Sequence, residues 1–168
     1  RIISLHPWPN YSRNYSTLGI KTKVCNFRYA NNPALAGVKH LNRLEQILAR
    51  SEWTDNTILE GIVMDTNNFV IEGTMSNIFC IIGRTLHTPD LSSCGVEGIV
   101  REKIIDMADK VNFSVEIKNM SLEFLLNADE VFMCNSLIGI WPVNSINEKQ
   151  FSSYQQTTKI TNSLIKYN

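Results

Sequence analysis

The sequence predicts an α+β domain built on a mixed, barrel-like sheet with flanking helices. Three observations predict it. Stretches of apolar alternation bounded by turn-forming residues mark several short strands. Helix-period segments interrupt them without the strict strand–helix alternation of a doubly wound sheet. A length of 168 residues with 43% hydrophobic content suffices for one domain with a real core.

The opening, residues 1–18, reads as an irregular arm or interdomain linker. Pro7 and Pro9 bracket Trp8, and Asn10, Ser12, Asn14 and Ser16 are turn formers. The domain itself is expected over residues 19–168. Gly19 to Phe27 reads as a strand, with Ile20 and Val24 as its apolar positions. Asn31-Asn32-Pro33 marks a turn. From about Lys39 to Arg50, Leu41, Leu44, Ile47 and Leu48 recur at helical spacing and predict a buried apolar face. Leu59 to Asp65 and Phe69 to Gly73 flank Thr66-Asn67-Asn68, a hairpin turn in its chemistry. A second hairpin pairs Ile78 to Ile82 with Thr85 to Thr88 around Gly83-Arg84. A helix follows from about Glu97 to Lys110, with Val100, Ile104, Ile105 and Ala108 as its apolar positions. Phe113, Val115 and Ile117 alternate with Ser114, Glu116 and Lys118 as a strand. Ser121 to Phe124 opens a short helix, and Asp129 to Cys134 and Pro142 to Ile146 read as strands. Ile160 and Leu164 define a helix from about Tyr154 to Tyr167.

Composition narrows the function classes. Lys+Arg and Asp+Glu are each 16, so the broad electrostatic footprint of a nucleic-acid binder is missing. The longest strictly apolar run, Ile78 to Ile82, has five residues, whereas a membrane-spanning helix needs roughly 20. No signal peptide is visible, although the chain begins at Arg1 and not at Met. Cys25, Cys80, Cys94 and Cys134 form no CxxC pair, which predicts reduced thiols and a cytoplasmic protein. His6, His40 and His87 lack metal-ligand spacing, so no metal is expected.

Four segments carry the chemistry. They are Gly37-Val38-Lys39-His40-Leu41-Asn42-Arg43-Leu44-Glu45-Gln46, Ile71-Glu72-Gly73-Thr74-Met75-Ser76-Asn77, Gly95-Val96-Glu97-Gly98-Ile99-Val100-Arg101 and Ala128-Asp129-Glu130-Val131-Phe132-Met133-Cys134-Asn135-Ser136. Alone, each has an ordinary explanation: a solvated lysine, a turn, a helix cap. In this order they resemble the fold-type IV pyridoxal-phosphate enzymes, which include branched-chain and D-amino-acid aminotransferases and aminodeoxychorismate lyases. The resemblance runs from about Lys21 to Val143. The string Leu35 to Gln46 is most similar to the lyases.

The resemblance implies a cofactor, pyridoxal 5'-phosphate, and a set of residues to hold it. Lys39 matches the lysine that condenses with the cofactor aldehyde, a step that only a primary amine performs. The same amine, once released, shuttles protons. Glu72 matches the acid that keeps the pyridine nitrogen protonated. The backbone N–H groups of Ile99 and Val100 match phosphate ligands at a helix N-terminus. Ser136 sits where relatives have a phosphate-binding threonine. For Val96 two readings stand, packing on the cofactor ring or simple core packing. For Ser76 they are a phosphate contact, direct or through water, and turn capping. Arg43 is left between a site-facing residue and a solvated helix charge.

Aminotransferase relatives often carry threonine at Val100, so a hydroxyl donor is missing here while backbone donation survives; they carry glycine at Asn135, and that departure favours the lyase. The resemblance further implies that this is the large C-terminal domain, that a small N-terminal domain is absent, and that the protein is a homodimer acting on a small-molecule substrate. The expected activity is elimination of pyruvate from aminodeoxychorismate to give 4-aminobenzoate for folate. An aminotransferase on the same scaffold and a non-catalytic oligomerising domain are the alternatives.

Overall fold

The computed structural model describes residues 3–7 and 9–167. Arg1 and Trp8, both named in the arm above, lie outside the described residues. The arm is not wholly irregular: it carries one short turn of helix, α1 (Tyr15–Leu18). Nor does it stand free. The rings of Tyr11 and Tyr15 meet Trp141 edge-on, with centroids 5.0 and 5.3 Å apart, a favoured aromatic geometry.

Next come β1 (Ile20–Tyr29), α2 (Leu44–Arg50), β2 (Ile58–Asp65) and β3 (Phe69–Gly73). The turn between β2 and β3 forms where Thr66-Asn67-Asn68 predicts it. Asp65 Oδ1 accepts the amides of Asn67 and Phe69, each at 2.9 Å, and Asn68 takes φ +64°, a conformation asparagine tolerates. The second hairpin, β4 (Asn77–Ile82) and β5 (Thr85–Pro89), turns at Gly83-Arg84. Helix α3 (Ile99–Met107) tightens into a 3-10 turn over Ala108–Val111, so the expected helix from Glu97 to Lys110 starts later and ends in a different geometry. Then follow β6 (Ser114–Lys118), β7 (Met120–Ser121), α4 (Leu122–Leu126), β8 (Glu130–Asn135), β9 (Gly139–Ile146), β10 (Lys149–Gln150) and α5 (Gln155–Tyr167). Ser121 caps α4 by accepting the Phe124 amide at 3.1 Å.

The strands form one sheet in the order β6-β5-β4-β8-β9-β1-β2-β3-β7, with β10 beside β9. β1 runs parallel to both β2 and β9, and β5 parallel to β6; the remaining pairs are antiparallel. β3 and β4 are consecutive in the chain yet lie in opposite arms of this order. The tight turn between them therefore curls the sheet toward a barrel, the architecture expected from the sequence. On one side Phe79 and Phe132 stack with centroids 5.0 Å apart, in a core shared with Ile104 and Met107 of α3 and Ile160 and Leu164 of α5.

Two expectations are corrected. Helix α2 begins at Leu44, and Lys39 to Arg43 are irregular chain. Its apolar stripe faces outward: Leu44, Ile47 and Leu48 are exposed and Leu41 fully so, whereas Gln46 and Ala49 point in. The period is helical, but the inner side carries Ala49, which packs in a cluster with Cys25 and Tyr29 of β1 and Val63 of β2. In β6, the edge strand of the sheet, Ile117 is exposed. The four cysteines are free and buried, and burial pushes each thiol up to about 12, which makes them inert. No described helix is long and apolar enough to cross a membrane.

Candidate active site

The loop that carries Lys39 is stitched to the loop that leads into α3. Gly37 N–H donates to Gly95 C=O and Glu97 N–H donates to Gly37 C=O, each at 3.0 Å, which makes an isolated parallel bridge between Gly37 and Val96. Gly95 takes φ +89°, and a Cβ there would lie 2.8 Å from Ile71 and 3.5 Å from Glu72 Oε2. Only glycine meets both demands.

Glu72 sits near the end of β3 and is 3% exposed. Its Oε2 accepts the Val96 amide at 2.9 Å. Asn77, the first residue of β4, donates from Nδ2 to Val96 C=O at 2.7 Å and accepts the Gly98 amide on Oδ1 at 3.2 Å. These bonds lock Glu72, Val96 and the start of α3 into one unit. Gly98 is the N-cap of α3 and offers no side chain to the helix's first amides, so the N–H groups of Ile99 and Val100 are left for a ligand.

All seven residues chosen from the sequence line one cavity of about 360 Å³: Lys39, Glu72, Ser76, Val96, Ile99, Val100 and Ser136. Lys39 is exposed as a residue, yet it shares this wall with Glu72 and its charge reaches that carboxyl. Among the described residues it is the one primary amine in the lining. Burial is the largest influence on Glu72 and pushes its carboxyl up to about 7. The Val96 amide, Arg43 and Lys39 pull the other way, and the neighbouring Glu60 charge adds to the rise.

Seven further lining residues were not chosen from the sequence, Arg43, Met75, Asn77 and Asn135 among them. Arg43 reaches the cavity from just ahead of α2, and its Nη1 is buried without a hydrogen-bond partner. The KHLNR string held its signal, but helix periodicity gave it no direction. Met75, Asn77 and Asn135 also line the cavity, and Asn135 Nδ2 donates to Met75 C=O at 2.8 Å while its Oδ1 accepts the amides of Leu137 and Ile138. Ser76 is placed as expected, but its hydroxyl donates to Glu60 Oε2 at 2.7 Å. A smaller polar recess of about 190 Å³ shares Arg43 and Val96 with the cavity. Tyr29 Oη, His40 Nδ1 and Gln46 Oε1 line it, and none of these buried atoms meets hydrogen-bond geometry with a partner.

The arrangement fits a phosphorylated aromatic aldehyde. It offers an amine, a buried carboxyl that holds a proton near neutrality, uncapped helix amides for a phosphate, and an orphaned guanidinium donor for an anionic oxygen.

Aminodeoxychorismate lyase of Vibrio harveyi is 37% identical over 145 residues, which cover 86% of this chain and 54% of that protein. Branched-chain-amino-acid aminotransferase of Escherichia coli (strain K12) is 33% identical over 149 residues, 87% of this chain and 48% of that protein. The crystal structure of 4-amino-4-deoxychorismate lyase from Pseudomonas aeruginosa superposes with a TM-score of 0.93 at 40% identity, covering 97% of this chain and 60% of that one. The chain thus spans about half the length of the curated relatives it matches. The family described as Amino-transferase class IV matches residues 1–146, and the chain belongs to that family.

Proposed function

We propose that the protein is a pyridoxal 5'-phosphate-dependent 4-amino-4-deoxychorismate lyase, which eliminates pyruvate and leaves 4-aminobenzoate, a folate precursor. The observation that carries it is the meeting of Lys39, Glu72 and the α3 N-terminus on one cavity. When bound, the cofactor supplies an aldehyde that captures amines and a protonated ring that draws electrons from the carbon beside the nitrogen.

The chain's own residues do the rest. Lys39 holds its amine toward the cavity, and once free it takes the proton from the amine-bearing carbon of the substrate and later returns one. Glu72 holds a proton toward a ring nitrogen: the Val96 amide fixes Oε2, so Oε1 is the oxygen offered. Its burial keeps water from competing for that proton. The amides of Ile99 and Val100, with the Ser136 hydroxyl, bind the phosphate, and Val96 packs on the ring face. Ser76 has its hydroxyl engaged with Glu60, so its part is to shape the wall.

The lyase is preferred over an aminotransferase because Asn135 cross-links its loop to Met75, a role that glycine in the aminotransferase pattern cannot fill. The identities of 37% and 40% to two lyases, against 33% to the Escherichia coli aminotransferase, support the same choice. Four buried free thiols suit a reducing, cytoplasmic compartment. The outward apolar side of α2 supports a homodimer, and the remaining part of the site belongs to a small domain outside this chain. The test is a coupled pyruvate assay on the full-length protein with aminodeoxychorismate. Pyruvate release at a rate that depends on added cofactor is expected; amino transfer to 2-oxoglutarate without pyruvate rejects the lyase in favour of the aminotransferase.

A further inference from the structure

Glu60 on β2 is buried at 1% exposure and accepts five hydrogen bonds from neutral donors. Its Oε1 receives the amides of Gly61 and Thr74, both at 2.9 Å, and the Thr74 hydroxyl. Its Oε2 receives the Met75 amide at 3.2 Å and the Ser76 hydroxyl at 2.7 Å. Four of these donors come from three consecutive residues, the turn that joins β3 to β4.

A lone carboxylate in the interior is costly even when its oxygens are satisfied. Burial pushes the Glu60 carboxyl up against the pull of these donors, and a packed apolar residue would hold β2 against β3 at less cost, so its five hydrogen bonds point to the turn and not to the core. That turn is tied to three parts of the cavity lining. Glu72 lies two residues before it. Asn77 follows it and ties down Val96 and Gly98. Met75 C=O accepts from Asn135 beside Ser136. The turn has no slack, because a methyl on Gly73 would collide with both Ser76 Oγ and the Glu60 carboxyl.

We propose that Glu60 is a positioning residue: its carboxylate fixes the 74–76 turn and, through it, the placement of Glu72, Asn77 and Asn135 around the bound ligand. The proposal rests on the cavity's being the pyridoxal-phosphate site. Glutamine cannot replace it. One acceptor oxygen serves either the Gly61 and Thr74 amides or the Met75 amide, and the other side faces an N–H₂ group that only a hydroxyl can accept.

The test is Glu60→Gln in the full-length protein, read two ways. Amide exchange without cofactor should speed up at least about tenfold at Thr74 or Met75, with the α5 amides unchanged. Titration with pyridoxal 5'-phosphate should give an affinity weaker by about tenfold and a displaced absorbance band, the size of effect that outer partners exert on a bound group. Unchanged exchange at both amides together with an unchanged band overturns the proposal. Should Glu60→Gln not fold, Thr74→Val removes one hydroxyl donor to Glu60 at nearly constant shape, and its absorbance band must be displaced from the wild-type position; an unmoved band overturns the proposal equally. If the wild-type chain takes up no pyridoxal phosphate while the exchange result holds, the cofactor assignment falls and the role of Glu60 in the turn stands.

Discussion

Asn77 Oδ1 receives the Gly98 amide and occupies the space that a side chain at position 98 would need. A Gly98→Ala substitution must therefore push Asn77 away. The backbone at 98 is extended, with φ −76° and ψ 142°, so the cost is steric and not conformational. A loss of about 1–3 kcal/mol in urea denaturation is expected. Phosphate-bearing ligands should bind more weakly than this stability loss alone explains, because the Asn77 bonds that aim the start of α3 are broken.

Glu72 makes stability depend on pH. Its carboxyl titrates at about 7 in the folded chain and near 4.5 when unfolded, so the folded state binds the proton more tightly. Its contribution is complete below about 4.5, declines as pH rises, and is lost once pH passes about 7. The decline is on the order of 3 kcal/mol. Glu72→Gln should flatten this part of the profile, measured by denaturant midpoints between pH 4.5 and 8 without cofactor. Equal slopes in the two proteins would refute the assignment.

In the proposed function Lys39 supplies reactivity, and its exposed setting gives it little part in stability. It lies on irregular, exposed chain, so Lys39→Ala should alter unfolding free energy by no more than about 0.5 kcal/mol. Borohydride reduction in the presence of pyridoxal phosphate should add the cofactor mass to a peptide containing Lys39 in the wild-type chain. The variant should lose that adduct while keeping its melting curve.

Glu130 reaches from β8 to the start of α5, where it accepts the amides of Gln156 and Thr157 at 3.0 and 2.8 Å and the hydroxyls of Ser153 and Thr157. Glu130→Ala leaves these donors without an acceptor in a buried place. It should cost about 1–3 kcal/mol and speed amide exchange in the first turn of α5 before the rest of the helix.

The legible parts of the sequence were those whose signal is local. Thr66-Asn67-Asn68 carries its own turn chemistry, Ser121 caps the helix directly after it, and the four motifs lie in short continuous strings. What stayed hidden depends on distant chain. The period of α2 is visible in Leu44, Ile47 and Leu48, but which side faces in is decided by β1 and β2. Glu60 resembles any strand carboxylate until the fold brings Thr74 to Ser76 over it. Arg43 and Asn77 likewise acquire direction only from the loop around Val96. The sequence puts Lys39 at or just before the opening of a helix, but the helix begins only at Leu44 and the Lys39 loop is held by Gly95 and Glu97 and not by helix bonds.

β1 joins the first part of the domain to the last. Thr22 Oγ1 donates to Ser145 C=O across 123 residues, and β1 cannot gain its β9 neighbour until nearly the whole chain exists. During synthesis on the ribosome one border of β1 therefore stays open, a template for pairing with other nascent chains. Folding should be slow for a domain of this size, as non-local pairing dictates, and recovery from denaturant should improve with dilution or with a chaperone that shields that border.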